Sequence, residues 1–447
     1  MIELQTITTP AAQQIGAPPA AQQTGTPPAV AQQQEQTLTG RFFKGLFTAI
    51  FYSQLILISI LVIFLTLRGL VFTKSPRFHP KKWYIPLLAS VAVSGVVSLA
   101  WQCFFVCNIA RTVNATLWFT PILTVTLGVF LLAYGPSFQG SVCFLKREFT
   151  VKIMLISTGV TPERTRAIAV VSVILSVFYS AFLVAGIGGA TATRSRLDIL
   201  FISIIVISLA WTMQVLKNVQ QVAISKATYV YFARDEFMNA CNALSVTVRN
   251  QLGTVCIGST LVPVFVLVRG TIRGIHPREM YATDRDCSWI ANHMILYGNR
   301  WGFVHVGVYN KSFVQGSGDT WRTFRRMAGL EELIDTDLTS SICFLSAFAV
   351  GAISALTAGI WEFLIHKDYI FSLTLYAFII GYFVGRVSSA WLQGCVMGYY
   401  VAYSEDPQSG NFDNTIPQRI ARLDIEAAQR EASNEVREED EQNISYM

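Results

Sequence analysis

Runs of about twenty apolar residues, long enough to cross the roughly 30 Å hydrocarbon core of a bilayer as helices, recur along most of this chain. "SQLILISILVIFLTLRGL" (53–70) is one of the first. The runs fall at 46–70, 86–109, 115–134, 167–189, 197–219, 244–268, 341–364 and 369–400. The residue types agree, with 52% hydrophobic and only 14% charged, where a soluble domain carries about 25% charge. The fold class is therefore all-α, a polytopic helical membrane protein with about 8–10 transmembrane helices. A further stretch, "HMILYGNRWGFVHVGVYNKSF" (293–313), reads as buried or re-entrant. Irregular backbone at membrane depth survives only against protein or a water-filled cavity.

The ends differ in composition from the middle. Residues 1–40 are rich in Ala, Gln and Pro, and "AAQQIGAPPA" is followed by "AAQQTGTPPA", a repeat with no apolar periodicity. This reads as a disordered tail. It lacks the apolar core of a cleavable signal, so the first span is expected to direct insertion. Residues 41–403 read as the multi-span transmembrane domain and 404–447 as an acidic C-terminal tail. Within that tail, Thr415, Pro417 and the spacing of Ile420, Leu423 and Ala427 predict a helix, followed by a disordered end. The tail has four Arg against eleven Asp or Glu, net −7, so the first 403 residues carry +13 of the overall +6. That excess is spread over short loops, as anionic lipid favours. Nothing resembles a nucleic-acid patch, and the bilayer is the expected environment.

Chemistry-bearing residues are sparse. Cys103 and Cys107 share a helix face, but no His or third Cys stands near to complete a metal site. The five His form no metalloprotease motif, and no nucleophile elbow, P-loop or dinucleotide fingerprint occurs. No cofactor and no enzymatic activity are expected.

The strongest signal from residues alone is polar. On "WTMQVLKNVQQVAISKATYVYF" (211–232), Trp211, Gln214, Asn218, Gln221 and Ser225 fall in an arc of about 80° at 100° per residue. Amides at membrane depth are costly unless they bond other helices or face a wet cavity. Both readings, structural pairing and cavity lining, stand at this stage. Aromatic residues lie near polar positions: Trp211 above Gln214, Tyr229 and Tyr231 further on, and Trp361 beside Glu362. A quaternary ammonium cannot donate ordinary hydrogen bonds, but aromatic faces bind it at about 2 kcal/mol or more when desolvated. Glu362, set in "AGIWEFLIHK", reads either as a counter-charge or as an interfacial residue at a span end. Trp211, Gln214, Asn218, Gln221, Tyr229, Tyr231, Trp361 and Glu362 are the substrate-site candidates. Asn114, Asn310 and Asn443 fit the glycosylation sequon.

Several of these stretches together resemble one family. "NRWGFVHVGVYNKSF" with "TWRTFRRM" is similar to the signature of choline-transporter-like proteins, with Asn310 where a Gly is usual. "LKNVQQVAISKATYVYFARDE", "VRNQLGTVCIGSTLVPV" and the closing "GYYVAYSEDPQ" resemble the same family, and "RFFKGLFTAIFYSQLILISILVIFLTLRGL" and "FHPKKWYIPLL" resemble its plant branch. The resemblance spans about 41–410. It implies a transporter of about ten spans at the plasma membrane, both termini cytosolic, moving choline or a related small organic cation. One departure is visible: the region 135–165 is too short for a further span the family normally has there. Loop charge alone, five Lys or Arg in 68–85 and five in 146–166, places the first loop inside, the opposite of the family topology.

The expected function is transport of choline or a related amine by alternating access through a mid-membrane cavity. The alternative is a non-transporting scaffold or trafficking protein acting through its tails.

Overall fold

The computed structural model describes residues 38–71, 80–126, 140–159, 163–193, 197–275, 296–365, 369–426 and 428–429. Among the described residues the regular structure is helical throughout, with no strand. In order the helices are α1 (Leu38–Val71), α2 (Pro80–Cys107), α3 (Ile109–Thr126), α4 (Gly140–Gly159), α5 (Glu163–Thr193), α6 (Asp198–Arg234) and α7 (Ala240–Val246). A π-turn at Thr247–Gln251 leads into α8 (Leu252–Ile275). Then come α9 (Gly302–Tyr309), α10 (Phe313–Arg326), α11 (Leu330–Thr336), α12 (Thr339–Ile365), α13 (Ile370–Ser388) and α14 (Ala390–Glu405). Among the described residues seven stretches are long and apolar enough to cross a membrane: Gly40–Val71, Lys82–Cys107, Thr165–Thr193, Asp198–Arg234, Ala240–Val268, Leu330–Ile365 and Ile370–Glu405. The polytopic all-α class read from the sequence is thus the observed one.

The details depart from the apolar runs in instructive places. Of the span expected at 115–134, α3 covers the part to Thr126, and the rest lies outside the described residues. Where the region 135–165 looked too short, one twenty-residue helix, α4, buries Phe149, Ile153 and Met154 in the core. The stretch 293–313 is buried from Trp301 to Gly307, and its described part holds a helical turn at 296–298 and the eight-residue α9. Asn310 ends that helix in the left-handed region (φ 54°), and the chain turns into α10. The N-terminal repeat, Asn443 and the acidic end beyond residue 429 lie outside the described residues.

Close backbone approach sets the packing of α1 on α5. A Cβ at Gly69 would sit 2.6 Å from the Gly189 Cα. One at Gly189 would collide with the Leu65 carbonyl oxygen. Small residues permit such contact between membrane helices, where dispersion and backbone proximity replace a hydrophobic driving force. Two apolar clusters result, and α6 threads both. Leu209 and Met213 lie in one, while Val215, Val219, Val222, Ile224 and Tyr229 lie in the other. At about 1.5 Å per residue, the 37 residues of α6 outrun a bilayer core. Its second half is buried nearly all round, which marks it as the axis of the bundle.

Three contacts fix which ends lie together. Arg68, closing α1, pairs with Asp198, opening α6, at 3.5 Å. At the other end, Gly253 near the start of α8 packs on the Lys44 carbonyl near the start of α1, and Glu405 closing α14 meets Tyr229 near the end of α6. The start of α1 and the end of α14 therefore share one end of the bundle.

The chain after α14 does not simply leave. Ser409 Oγ donates to the Phe232 carbonyl at 2.7 Å, and the Phe412 ring stacks on Phe232 at 5.4 Å. Residues 415–426 are helical, as the Thr415–Leu423 spacing predicts, with Ile416 and Arg419 buried. The part of the acidic tail up to residue 426 thus docks on the bundle.

Candidate functional site

The polar groups of the membrane region collect in three layers along α6. The first surrounds Trp211. Its ring meets Phe51 edge-on at 5.7 Å, and its buried Nε1 has no acceptor among the described residues. Beside it, Gln54 of α1 bonds Ser208, and the Tyr179 hydroxyl lies 3.2 Å from both Ser208 Oγ and Thr212 Oγ1. Gln214, half-buried, projects just below.

The second layer forms where the last span bends. Between α13 and α14 the helix is interrupted at Ser389, and the Gln393 amide reaches the Ser389 carbonyl at only 3.4 Å. Bends of this kind occur where side chains insert into the backbone ladder. Gln102 of α2 donates to the Ser388 carbonyl at 3.1 Å. Ser388 Oγ donates back to the Ser98 carbonyl at 3.1 Å. The Cys343 thiol of α12 faces the Ser389 carbonyl at 3.8 Å. The Gln102 amide thus bonds the Ser388 carbonyl at the break, and Ser388 and Cys343 add ties to α2 and α12, so the interruption is braced by its neighbours. Below it, the α6 seam meets its partners: Asn218 Nδ2 donates to Ser259 of α8 at 2.8 Å, and Gln221 Nε2 donates to Gln393 of α14. Gly398 brings α14 so close that a Cβ there would lie 2.6 Å from the Ser225 carbonyl oxygen.

The third layer lies at the end shared by α6 and α14. Glu405 accepts from the Tyr229 hydroxyl and, at 2.5 Å, from the Tyr309 hydroxyl. Its other oxygen stands 2.9 Å from His305 Nε2. The two phenols lie 2.8 Å apart, their rings 6.1 Å apart and near perpendicular. The Lys311 ammonium sits 5.3 Å from the Tyr309 ring centre and pairs with Asp319 at 2.8 Å. Burial, and next the Glu405 charge, push the Tyr309 phenol above its ordinary value, so it remains a donor.

The sequence candidates are thus distributed. Trp211, Gln214, Asn218 and Gln221 run down one face of α6, and Asn218 and Gln221 both engage other helices. Tyr229 stands about 27 Å from Trp211 along the axis, in a different layer. Tyr231 is half-buried against Phe232 and Phe237 at the helix end, its carbonyl accepting from Asn411 at 3.1 Å. Trp361 is 40% exposed among exposed Ile360, Phe363 and Leu364, on the outer surface. Glu362 is buried near the end of α12. Asn114 is half-buried on α3, whereas Asn310 is exposed. Glu405, His305 and Tyr309 were not singled out from sequence, although "VHVGVYNKSF" and "YSEDP" contain them. The contacts join residues 96 and 176 positions apart, a distance no periodicity reports. Among the described residues no cluster of His, Cys, Asp and Glu is arranged to hold a metal ion.

Seven apolar spans, the last one bent around polar groups at membrane depth, define a polytopic membrane protein of transporter type. The chain belongs to the plasma-membrane choline transporter family, whose sequence model matches residues 115–408. It is 22% identical over 299 residues to Protein PNS1 of Mycosarcoma maydis, covering 59% of this chain and 56% of that one. It is 23% identical over 217 residues to Protein PNS1 of Debaryomyces hansenii (44% and 42%), and 23% over 219 residues to that of Candida albicans (44% and 42%). The chain spans about half the length, or less, of these curated relatives. They are fungal, so they support the family without the plant branch.

Proposed function

We propose that this chain transports choline or a related small organic amine across the plasma membrane by alternating access. The observation that carries the reading is the third layer, seen together with the family match. A carboxylate flanked by two tyrosine rings offers an ammonium both counter-charge and aromatic faces. Trp211 and Gln214 line the path from the opposite end, and the last span, bent at Ser389, moves against α6. Transporters use interrupted helices in this way because the bend lets one half tilt while its neighbours keep the backbone bonded. Both termini face the cytosol in this reading, and the chain changes no covalent bond of its cargo.

The test is uptake of labelled choline by choline-transport-deficient cells expressing Glu405→Gln beside the native chain. The substitution keeps the shape and removes the charge. Uptake is expected to fall at least tenfold with the surface amount unchanged. Unchanged uptake would remove Glu405 from the path.

A further inference from the structure

The bend at Ser389 sits in an unusual electrostatic setting. Cys343, whose thiol faces the Ser389 carbonyl, lies within electrostatic reach of three cations: Arg386, Lys217 and Arg300. Each comes from a different element. Arg386 lies three residues before the bend on α13. Lys217 lies on α6 and is only 6% exposed. Arg300 precedes α9, its guanidinium over the Trp301 ring at 5.1 Å. Among the described residues none of the three has a carboxylate within ion-pair distance. One acid, Asp337, lies within reach of Arg300 and is itself held by the Thr339 hydroxyl at 2.8 Å. Three basic side chains thus face one carboxylate in this layer.

That excess needs an explanation. Removing a charge from water is unfavourable unless it is paired, and cations at membrane depth mark pathways and ligand sites. A second observation points to a missing partner. Gln220, one turn from Lys217 and 1% exposed, has neither its amide oxygen nor its nitrogen bonded among the described residues. A buried amide with both ends vacant is rare and unfavourable.

We infer that the layer around Ser389 binds an oxyanion, phosphate or carboxylate, carried by the transported amine or moving with it, through Lys217, Arg300 and Arg386. Arginine forks match the planar or tetrahedral oxygens of such groups in pairs, and lysine adds a point charge. Gln220 supplies a donor to the same group. A bare ammonium offers these basic groups no counter-charge, whereas an oxyanion on the amine, or one moving with it, does. The inference rests on the transport reading for the identity of the cargo, but its binding chemistry stands apart from it.

The experiment measures equilibrium binding of phosphocholine, choline and inorganic phosphate to the purified full chain in detergent. It is repeated on Lys217→Gln and on Gln220→Leu, and each ligand is also tested for uptake into proteoliposomes. The native chain is expected to bind phosphocholine at least tenfold tighter than choline, and Lys217→Gln to lose at least tenfold of that affinity. Phosphocholine bound tighter than inorganic phosphate places the oxyanion on the amine. Equal binding of the two, lost in Lys217→Gln, assigns it to a separate anion moving with the cargo. The inference is overturned if choline binds as tightly as phosphocholine and inorganic phosphate does not bind. That comparison uses the native chain alone, so it holds even if a variant fails to fold. Choline uptake without oxyanion binding would leave the transport reading standing and end this one. Oxyanion binding without uptake of any amine would do the reverse.

Discussion

The α6 seam makes a quantitative prediction because its two amide pairs are not equivalent. Asn218 donates to Ser259 Oγ at 2.8 Å, while Ser259 Oγ donates to its own Val255 carbonyl at 2.7 Å. Replacing Asn218 by Leu keeps the volume nearly constant and leaves the Ser259 hydroxyl bonded. The loss is then one interhelical hydrogen bond, which in membrane proteins averages about 0.6 kcal/mol and reaches about 1.7. Asn218→Leu should sit near the lower figure. Gln221→Leu is different. It leaves the Gln393 amide, 5% exposed, without its partner, and an orphaned buried group costs about 1–3 kcal/mol. The double change Gln221→Leu with Gln393→Leu replaces both partners by apolar groups and should recover most of that loss. The cycle therefore predicts a favourable coupling of about 2–3 kcal/mol between positions 221 and 393. Reversible unfolding of the four variants in mixed micelles measures it. Additive losses, or Asn218→Leu costing more than Gln221→Leu, would refute the pairwise account and imply that the seam faces water.

Three further outcomes follow from the packing. Gly189→Val, which forces a side chain into the Leu65 carbonyl, should abolish folded protein at the cell surface, whereas Gly45→Ala, with nothing within 4 Å, should express normally; surface labelling compares them. Phe412→Ala removes the half-buried ring packed among Phe232, Tyr399 and Tyr403, a loss of about 1–2 kcal/mol, part of what full burial of such a side chain is worth, and limited proteolysis should then cut within 409–426 while the spans stay intact. Gln102→Leu frees the Ser388 carbonyl and should make a cysteine placed at Ala390 react faster with a membrane-permeant maleimide, because the bend loses one of its ties.

Much of the bundle is written in the apolar runs. The runs at 86–109 and 167–189 became Lys82–Cys107 and Thr165–Thr193, shifted by a few residues at each end. The run at 197–219 stops fifteen residues short of the end of α6 because the helix continues where its sequence turns polar. There every face is covered by protein, so hydropathy no longer reports the boundary. The bend at Ser389 was hidden for the opposite reason. It lies inside one apolar run, and the side chains that brace it come from α2, α12 and α13. Polar residues on α6 were legible as a seam, because helical spacing shows which ones share a face. Their partners Ser259 and Gln393 were not, since spacing within one helix says nothing about the neighbour. Glu405 shows the same limit more sharply: it closes the last span, where a carboxylate usually meets water, and only the fold brings Tyr229, Tyr309 and His305 to it.

The most direct test of the account is saturable uptake of labelled choline and of phosphocholine by transport-deficient cells expressing the full chain, with the surface amount measured in parallel. The account predicts uptake of at least one of them above that of untransfected cells, saturating with concentration and abolished by Glu405→Gln. Good surface expression with no uptake of either would contradict it.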